Sequence, residues 1–289
     1  MRVTPLAGES LGVRSMAVAV ETPDVRVVVD PGCALVPRRF GLPPSAAEEA
    51  AFVTAKARIE SAVLEADVLT VSHYHWDHVQ LDWEVYAGKT ILAKSWRRDT
   101  NQTCAARGRT FEDRWKTRAS FGGEDGASRV VGNTTVRLSP ALPHGSSGTR
   151  LGSVVATVVE HGGRKFVHSS DVQGPMSPEA TAWLVAESPD LLVLDGAPAY
   201  LANTRVPPEF IEQAAWNLVE VFQETGCEIV LDHHILRGVD HRAAWAPVYD
   251  RLDVKTFAGY LGVPDRLLEA NRVAMHAVES MPRVGPVEG

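Results

Sequence analysis

The run His73-Tyr74-His75-Trp76-Asp77-His78 constrains this chain more than any other feature. It sets four potential metal ligands within six residues, directly after the apolar stretch Asp67-Val68-Leu69-Thr70-Val71, which reads as a buried strand. Side chains alternate along an extended segment, so His73 and His75 can converge on one cation. Asp77 and His78 follow once the chain turns and can address a second. Imidazole and carboxylate form the ligand set of a borderline divalent ion such as zinc, and they also admit iron or manganese.

Four ligands do not complete a two-ion centre, so others must come from elsewhere. His144 lies in the turn Leu142-Pro143-His144-Gly145, and Asp171 ends Lys165-Phe166-Val167-His168-Ser169-Ser170-Asp171. His233 and His234 follow the strand-like Glu228-Ile229-Val230-Leu231-Asp232. Each candidate lies just past a β segment, where strands deliver side chains to a shared edge. Neighbouring side chains on an extended chain point to opposite faces, so only one of the adjacent pair is expected to reach an ion. His233 directly continues the strand and is the expected ligand, leaving His234 to pack behind it.

The order His-x-His-x-Asp-His, then His, Asp and His, resembles the metallo-β-lactamase-fold hydrolases. Further segments resemble a largely archaeal branch of that superfamily: Glu9 to Met16, Asp30-Pro31-Gly32, Pro37 to Pro44, Ser170 to Pro175, Asp195 to Leu201 and Asp232 to Arg237. The likeness runs from near residue 1 to about residue 245; Asn101 to Arg109 departs from the branch's Ser-Gln-Arg-rich pattern. The resemblance implies an αββα sandwich, two mixed β-sheets flanked by helices, as one domain over residues 1–289. It implies that His73, His75 and His144 hold a first metal, and that Asp77, His78 and one of His233 or His234 hold a second. Asp171 would bridge them, with Asp77 and Asp171 as the acidic catalytic members. Two such ions lower the pKa of a shared water and so make hydroxide available near neutral pH. The expected function is therefore hydrolysis of a small anionic molecule. A compact phosphodiesterase or nuclease, and a di-iron redox enzyme on the same ligands, are the alternatives. The RNA-processing members carry a long insert between the bridging Asp and the last His; residues 172–232 leave no room for one beside their own strands and helices, which argues against a nucleic-acid partner.

The element pattern agrees with such a sandwich. Strands are predicted at 15–20, 25–30, 68–72, 90–93, 129–138, 153–160, 165–169, 190–194 and 228–232. Ser45 with Glu48 forms a capping-box signature that opens a helix to about Ala66, and further helices are predicted at 177–187, 208–225 and 264–277. No apolar run is long enough to span a membrane. Three scattered cysteines (Cys33, Cys104, Cys227) and the absence of a leader pattern fit a reducing cytoplasm. A net charge of −7 argues against a nucleic-acid coat protein.

Asp30 and Asp232 end β segments near the expected site and are candidates to orient imidazoles. His168, three residues before Asp171, and Tyr200, in Asp195-Gly196-Ala197-Pro198-Ala199-Tyr200, are candidates to line the pocket. The segment Lys94 to Arg118 carries eight basic and three acidic residues, a local excess of five. Guanidinium forks there suit phosphate or carboxylate groups, and Arg107 and Arg109 are the expected substrate contacts.

Overall fold

The computed structural model describes residues 1–280. Its first sheet has six strands in chain order: β1 (Arg2–Pro5), β2 (Val18–Glu21), β3 (Arg26–Val29), β4 (Val68–Val71), β5 (Thr90–Ala93) and β6 (Ser120–Gly123). The first three pair antiparallel, and β3 to β6 run parallel. The second sheet contains β7 (Ser128–Val131) and β8 (Thr134–Leu138); β9 (Leu142–Pro143) and β10 (Ser153–Val154) form a small ladder beside it. It continues through β11 (Thr157–His161), β12 (Arg164–His168), β13 (Leu191–Asp195), β14 (Glu228–Asp232) and β15 (Val254–Lys255), in the order β15-β14-β13-β12-β11-β8-β7.

Parallel pairs need crossover connections, and α-helices supply four of them. Helix α1 (Ala46–Glu65) joins β3 to β4, and α2 (Gln102–Trp115) joins β5 to β6. In the second sheet α3 (Pro178–Glu187) and α4 (Pro208–Thr225) join β12 to β13 and β13 to β14. Parallel β3 and β4, and parallel β12, β13 and β14, therefore end on common edges. Asp30, His73, Asp171, Asp195 and His233 all lie within a few residues of those ends.

Alternation along the strands produces the layers. Val27, Val29 and Val68 face the second sheet and join Val136, Val159, Phe166 and Val193 in one buried cluster. Val28, Leu69 and Val71 face the other way, into a cluster with Ala55, Ile59 and Val63 of α1 and Phe111 and Trp115 of α2. A third cluster packs α3 and α4 on the outer face of the second sheet. The result is the expected helix–sheet–sheet–helix order. The capping box at Ser45 and Glu48 is formed, and Glu48 also receives the buried Arg272 guanidinium.

Several boundaries differ from the sequence reading: the expected 153–160 strand is split into β10 and β11, the expected 15–20 strand begins at Val18, and β1 and β6 are additional strands. Gly132 adopts φ 57 and splits the expected 129–138 strand into the hairpin β7–β8. The last helix begins at Arg272 rather than 264, because Arg266 N donates to Ser10 O and holds that stretch as a coil against the first sheet's loops. No helix among the described residues is long and apolar enough to cross a membrane.

Candidate metal centre

After β4 the chain runs on through Ser72 and His73, then turns at His75, whose carbonyl accepts from His78 N and Val79 N. That turn aims the two halves of the motif in different directions, as its spacing predicts. The motif meets Asp171, at the end of the segment leaving β12. The two carboxylate oxygens of Asp171 face different sets of candidate ligands. Oδ2 stands 3.5 Å from His73 Nε2 and 3.4 Å from His144 Nε2, and His75 Nδ1 stands 2.9 Å from His73 Nε2. Oδ1 stands 3.2 Å from His78 Nε2 and 3.5 Å from His233 Nε2, which in turn is 3.7 Å from Asp77 Oδ2. His73, His75, His144 and Asp171 thus make one group of convergent donors, Asp77, His78 and His233 make another, and Asp171, His233 and His234 make a third.

The donor chemistry fits divalent ions. Imidazole Nδ1 of His78 lies 2.8 Å from Asp30 Oδ2, that of His233 2.8 Å from Glu9 Oε2, and that of His234 2.8 Å from Asp195 Oδ2. A carboxylate on Nδ1 fixes the proton there and presents Nε2 as a lone pair. His78 Nε2 and Asp171 Oδ1 are buried yet have no hydrogen-bond partner, which is costly unless a cation belongs between them. Burial works against a charge on His78, but Asp171 and Asp30 outweigh it and hold its pKa well above the ordinary imidazole value. The site calls for positive charge at that nitrogen, and a divalent ion would supply it in place of a proton. Burial, reinforced by His144, pushes His75 down to about 4, so it stays neutral and able to bind a metal.

The sequence reading missed Glu9, Asp195 and Arg237. Arg237 is buried, donates through Nε to Glu9 Oε1 at 2.7 Å, and through Nη2 to Asp77 Oδ2 at 3.0 Å. Nη2 also lies 3.4 Å from His233 Nδ1 and 3.1 Å from Nε2. A donor on the Nε2 lone pair could not be nearly equidistant from both ring nitrogens, so the guanidinium leaves that lone pair free.

Several expectations need correction. Both His233 and His234 turn towards Asp171, because the chain does not stay extended: it enters a 3-10 turn over His233–Arg237, with His233 at φ 67. Their ring centroids are 4.3 Å apart, and His234 Nε2 lies 3.8 Å from Asp171 Oδ2. Asp232 orients no imidazole ring; it accepts from the backbone N–H groups of Ser10, His233 and Phe257 and so pins the turn. Asp30 does orient His78, and Ser72 N donates to it at 2.7 Å. His168 is a buried packing residue whose Nε2 bonds Met16 O at 2.9 Å. Much of the excess charge of Lys94 to Arg118 is paired with acids outside that segment: Lys94 meets Asp125, Arg97 and Arg98 meet Glu124, and Arg114 and Arg118 meet Glu84. Arg109 is exposed beside Asp113 and lines no part of the site cavity.

Arg107 does line that cavity, of about 680 Å³, together with His75, Asp77, His144, Tyr200 and His234. The intervening residues of the motif hold it: Arg107 Nη1 donates to Tyr74 O at 3.2 Å, and its guanidinium stacks 4.6 Å from the Trp76 ring. Close backbone approach fixes the other side of the motif. A Cβ on Gly32 would stand 2.3 Å from Val79 N and 2.5 Å from the His78 carbonyl carbon. Gly32→Ala is therefore expected to displace His78 and destabilise the fold by about 1–3 kcal/mol, read as a lower urea midpoint together with reduced metal content.

The family model described as beta-lactamase superfamily domain matches residues 13–195. The UPF0282 protein of Methanopyrus kandleri is 40% identical over 94% of this chain and 98% of its own length. That of Thermococcus gammatolerans is 39% identical over 96% of each chain. Among solved structures, the metallo-beta-lactamase fold protein YhfI of Bacillus subtilis shares 14% identity at a TM-score of 0.51, covering 88% of this chain and 93% of its own. An isothiocyanate hydrolase from Delia radicum gut bacteria shares 16% identity at a TM-score of 0.51, covering 81% and 84%. The metal-ligand order, the two-sheet sandwich and these similarities lead to one conclusion: the chain belongs to the beta-lactamase superfamily, in its UPF0282 group.

Proposed function

We propose that this protein is a dinuclear metal-dependent hydrolase acting on a small anionic substrate. The observation that carries the reading is the division of Asp171, whose two oxygens each face a separate set of donors, with His78 Nε2 and Asp171 Oδ1 buried and otherwise without partners. His73, His75 and His144 would hold the first ion, Asp77, His78 and His233 the second, with Asp171 between them. Bound ions, zinc in the simplest case, would supply Lewis acidity and an activated water. Water adds at the acyl or phosphoryl centre, the bond to the leaving oxygen breaks, and the proton passes to the leaving group. Asp30, Glu9 and Asp195 keep three imidazoles oriented throughout. Arg107 lines the cavity with His75 and would bind the substrate's negative charge with paired donors. The cavity is a pocket of small-molecule size, which favours this reading over one with a polymeric nucleic acid.

The test is a panel of anionic carboxyl and phosphoryl esters assayed with protein purified without chelator. Metal-dependent turnover is expected, and it should disappear in His75→Ala together with the bound metal. Arg107→Ala should raise KM about 10–100-fold while leaving metal content intact, the loss expected for hydrogen bonds to a charged group. A KM unchanged in Arg107→Ala would remove that residue from the substrate site.

A further inference from the structure

The cavity beside the metal centre combines two surfaces, one cationic and one apolar. Its cations are unevenly committed. Arg14 is held by Glu269 through two contacts of 2.6 Å, and Arg237 is held by Glu9 and Asp77. Arg107 and Arg205 also line the cavity and have no carboxylate partner among the described residues. Asp77 is the one acidic residue among those lining the wall, against four arginines, and Arg237 is paired with it. The pocket is therefore cationic in an acidic chain, with two guanidinium groups available to an anion.

The second surface is apolar. Trp76, Leu151 and Phe210 are 42%, 42% and 41% exposed, and all three line this cavity. Val36, Leu201 and Val206 extend the same wall. Large apolar side chains left in water around one cavity mark a binding surface rather than random exposure. They come from four separate parts of the chain, the motif turn, the 34–37 loop, the loop before β10 and the segment entering α4, so no single loop's sequence accounts for them. A purely polar anion, such as a small phosphorylated sugar, would use the arginines and leave this wall wet.

From this juxtaposition we infer that the substrate is an amphiphilic anion: a phosphate- or carboxylate-bearing ester whose anionic group meets Arg107 and Arg205 near the centre and whose apolar body lies on Trp76, Val36, Val206 and Phe210. The inference rests on the hydrolytic reading of the site given above. A volume of about 680 Å³ accommodates a molecule of drug-like size, head and body together.

Alkylphosphonates test it, because they present the anion without a scissile ester. Binding of methyl-, butyl- and octylphosphonate is measured by titration calorimetry on protein carrying its metal. Each added methylene is expected to tighten Kd about fourfold, the gain from removing that group from water. Phe210→Ala, at an exposed position, and Val206→Ala, at a half-buried one, should flatten the chain-length dependence and leave methylphosphonate affinity within about twofold of native. A flat series in the native protein would overturn the inference. So would an equal slope in native protein and both variants, which would mean non-specific association only. Absence of stoichiometric metal would instead count against the hydrolytic reading. In that event the same series on metal-stripped protein still decides the apolar seat, a slope sensitive to Phe210→Ala supporting it and a flat one refuting it.

Discussion

Asp171→Ala is expected to empty both metal positions at once. Its two oxygens face separate donor sets, so one substitution removes a ligand from each. Replacing a carboxylate that merely orients a ligand costs 10–100-fold in metal affinity. Asp30→Ala, which leaves all direct donors in place, should fall in that range, and Asp171→Ala should exceed about 100-fold. Elemental analysis and calorimetric titration of the two variants side by side check this ordering. Equal losses in the two variants would show that Asp171 does not bridge the donor sets.

Arg237→Met is expected to cost about 3–5 kcal/mol of stability, the penalty for leaving buried charges without their partner. Glu9 is buried and Asp77 nearly so, and the Arg237 guanidinium sits between them at 2.7 and 3.0 Å. Removing it strands two carboxylates beside His233. Burial opposes the charge on Glu9, yet His233 and Arg237 hold its pKa below the ordinary glutamate value. The check is urea unfolding, with Glu9→Gln combined with Arg237→Met as the companion. The double variant should recover part of the loss, since it no longer buries the Glu9 charge. A double variant as unstable as the sum of its single changes would show that the two residues act independently.

The ligand motif was legible because its chemistry is local. His73, His75, Asp77 and His78 lie within six residues, and the apolar run before them declares a buried strand. Asp30 was legible for a related reason: it ends β3, the parallel neighbour of β4, so strand pairing alone brings it to the motif. Glu9 was not, since it meets His233 across 224 residues and ends no strand. Asp195 ends β13 beside β14, so the argument applied to Asp30 would have found it. Asp232 has the same strand-end position but spends its oxygens on backbone N–H groups, a choice set by the turn after β14. The two-face argument for His233 and His234 failed at that same turn, where the chain is no longer extended. The charge excess of Lys94 to Arg118 overstates what is available to an anion, because Glu84, Glu124 and Asp125, which pair with five of its cations, lie outside that segment. What remains of that segment at the site is Arg107, selected by its contacts with Tyr74 and Trp76 rather than by charge. A Cβ on the following Gly108 would stand 2.6 Å from the Tyr74 ring, so α2 approaches the motif closely only because that residue is glycine.

Two ions are expected, one on either side of Asp171. Crystals of the native protein grown with zinc and measured at the zinc absorption edge test this directly. Two anomalous peaks are expected about 3.5–4 Å apart, one among His73, His75 and His144, the other among Asp77, His78 and His233. A single peak, or a second peak bound through His234 with His233 left out, would contradict it.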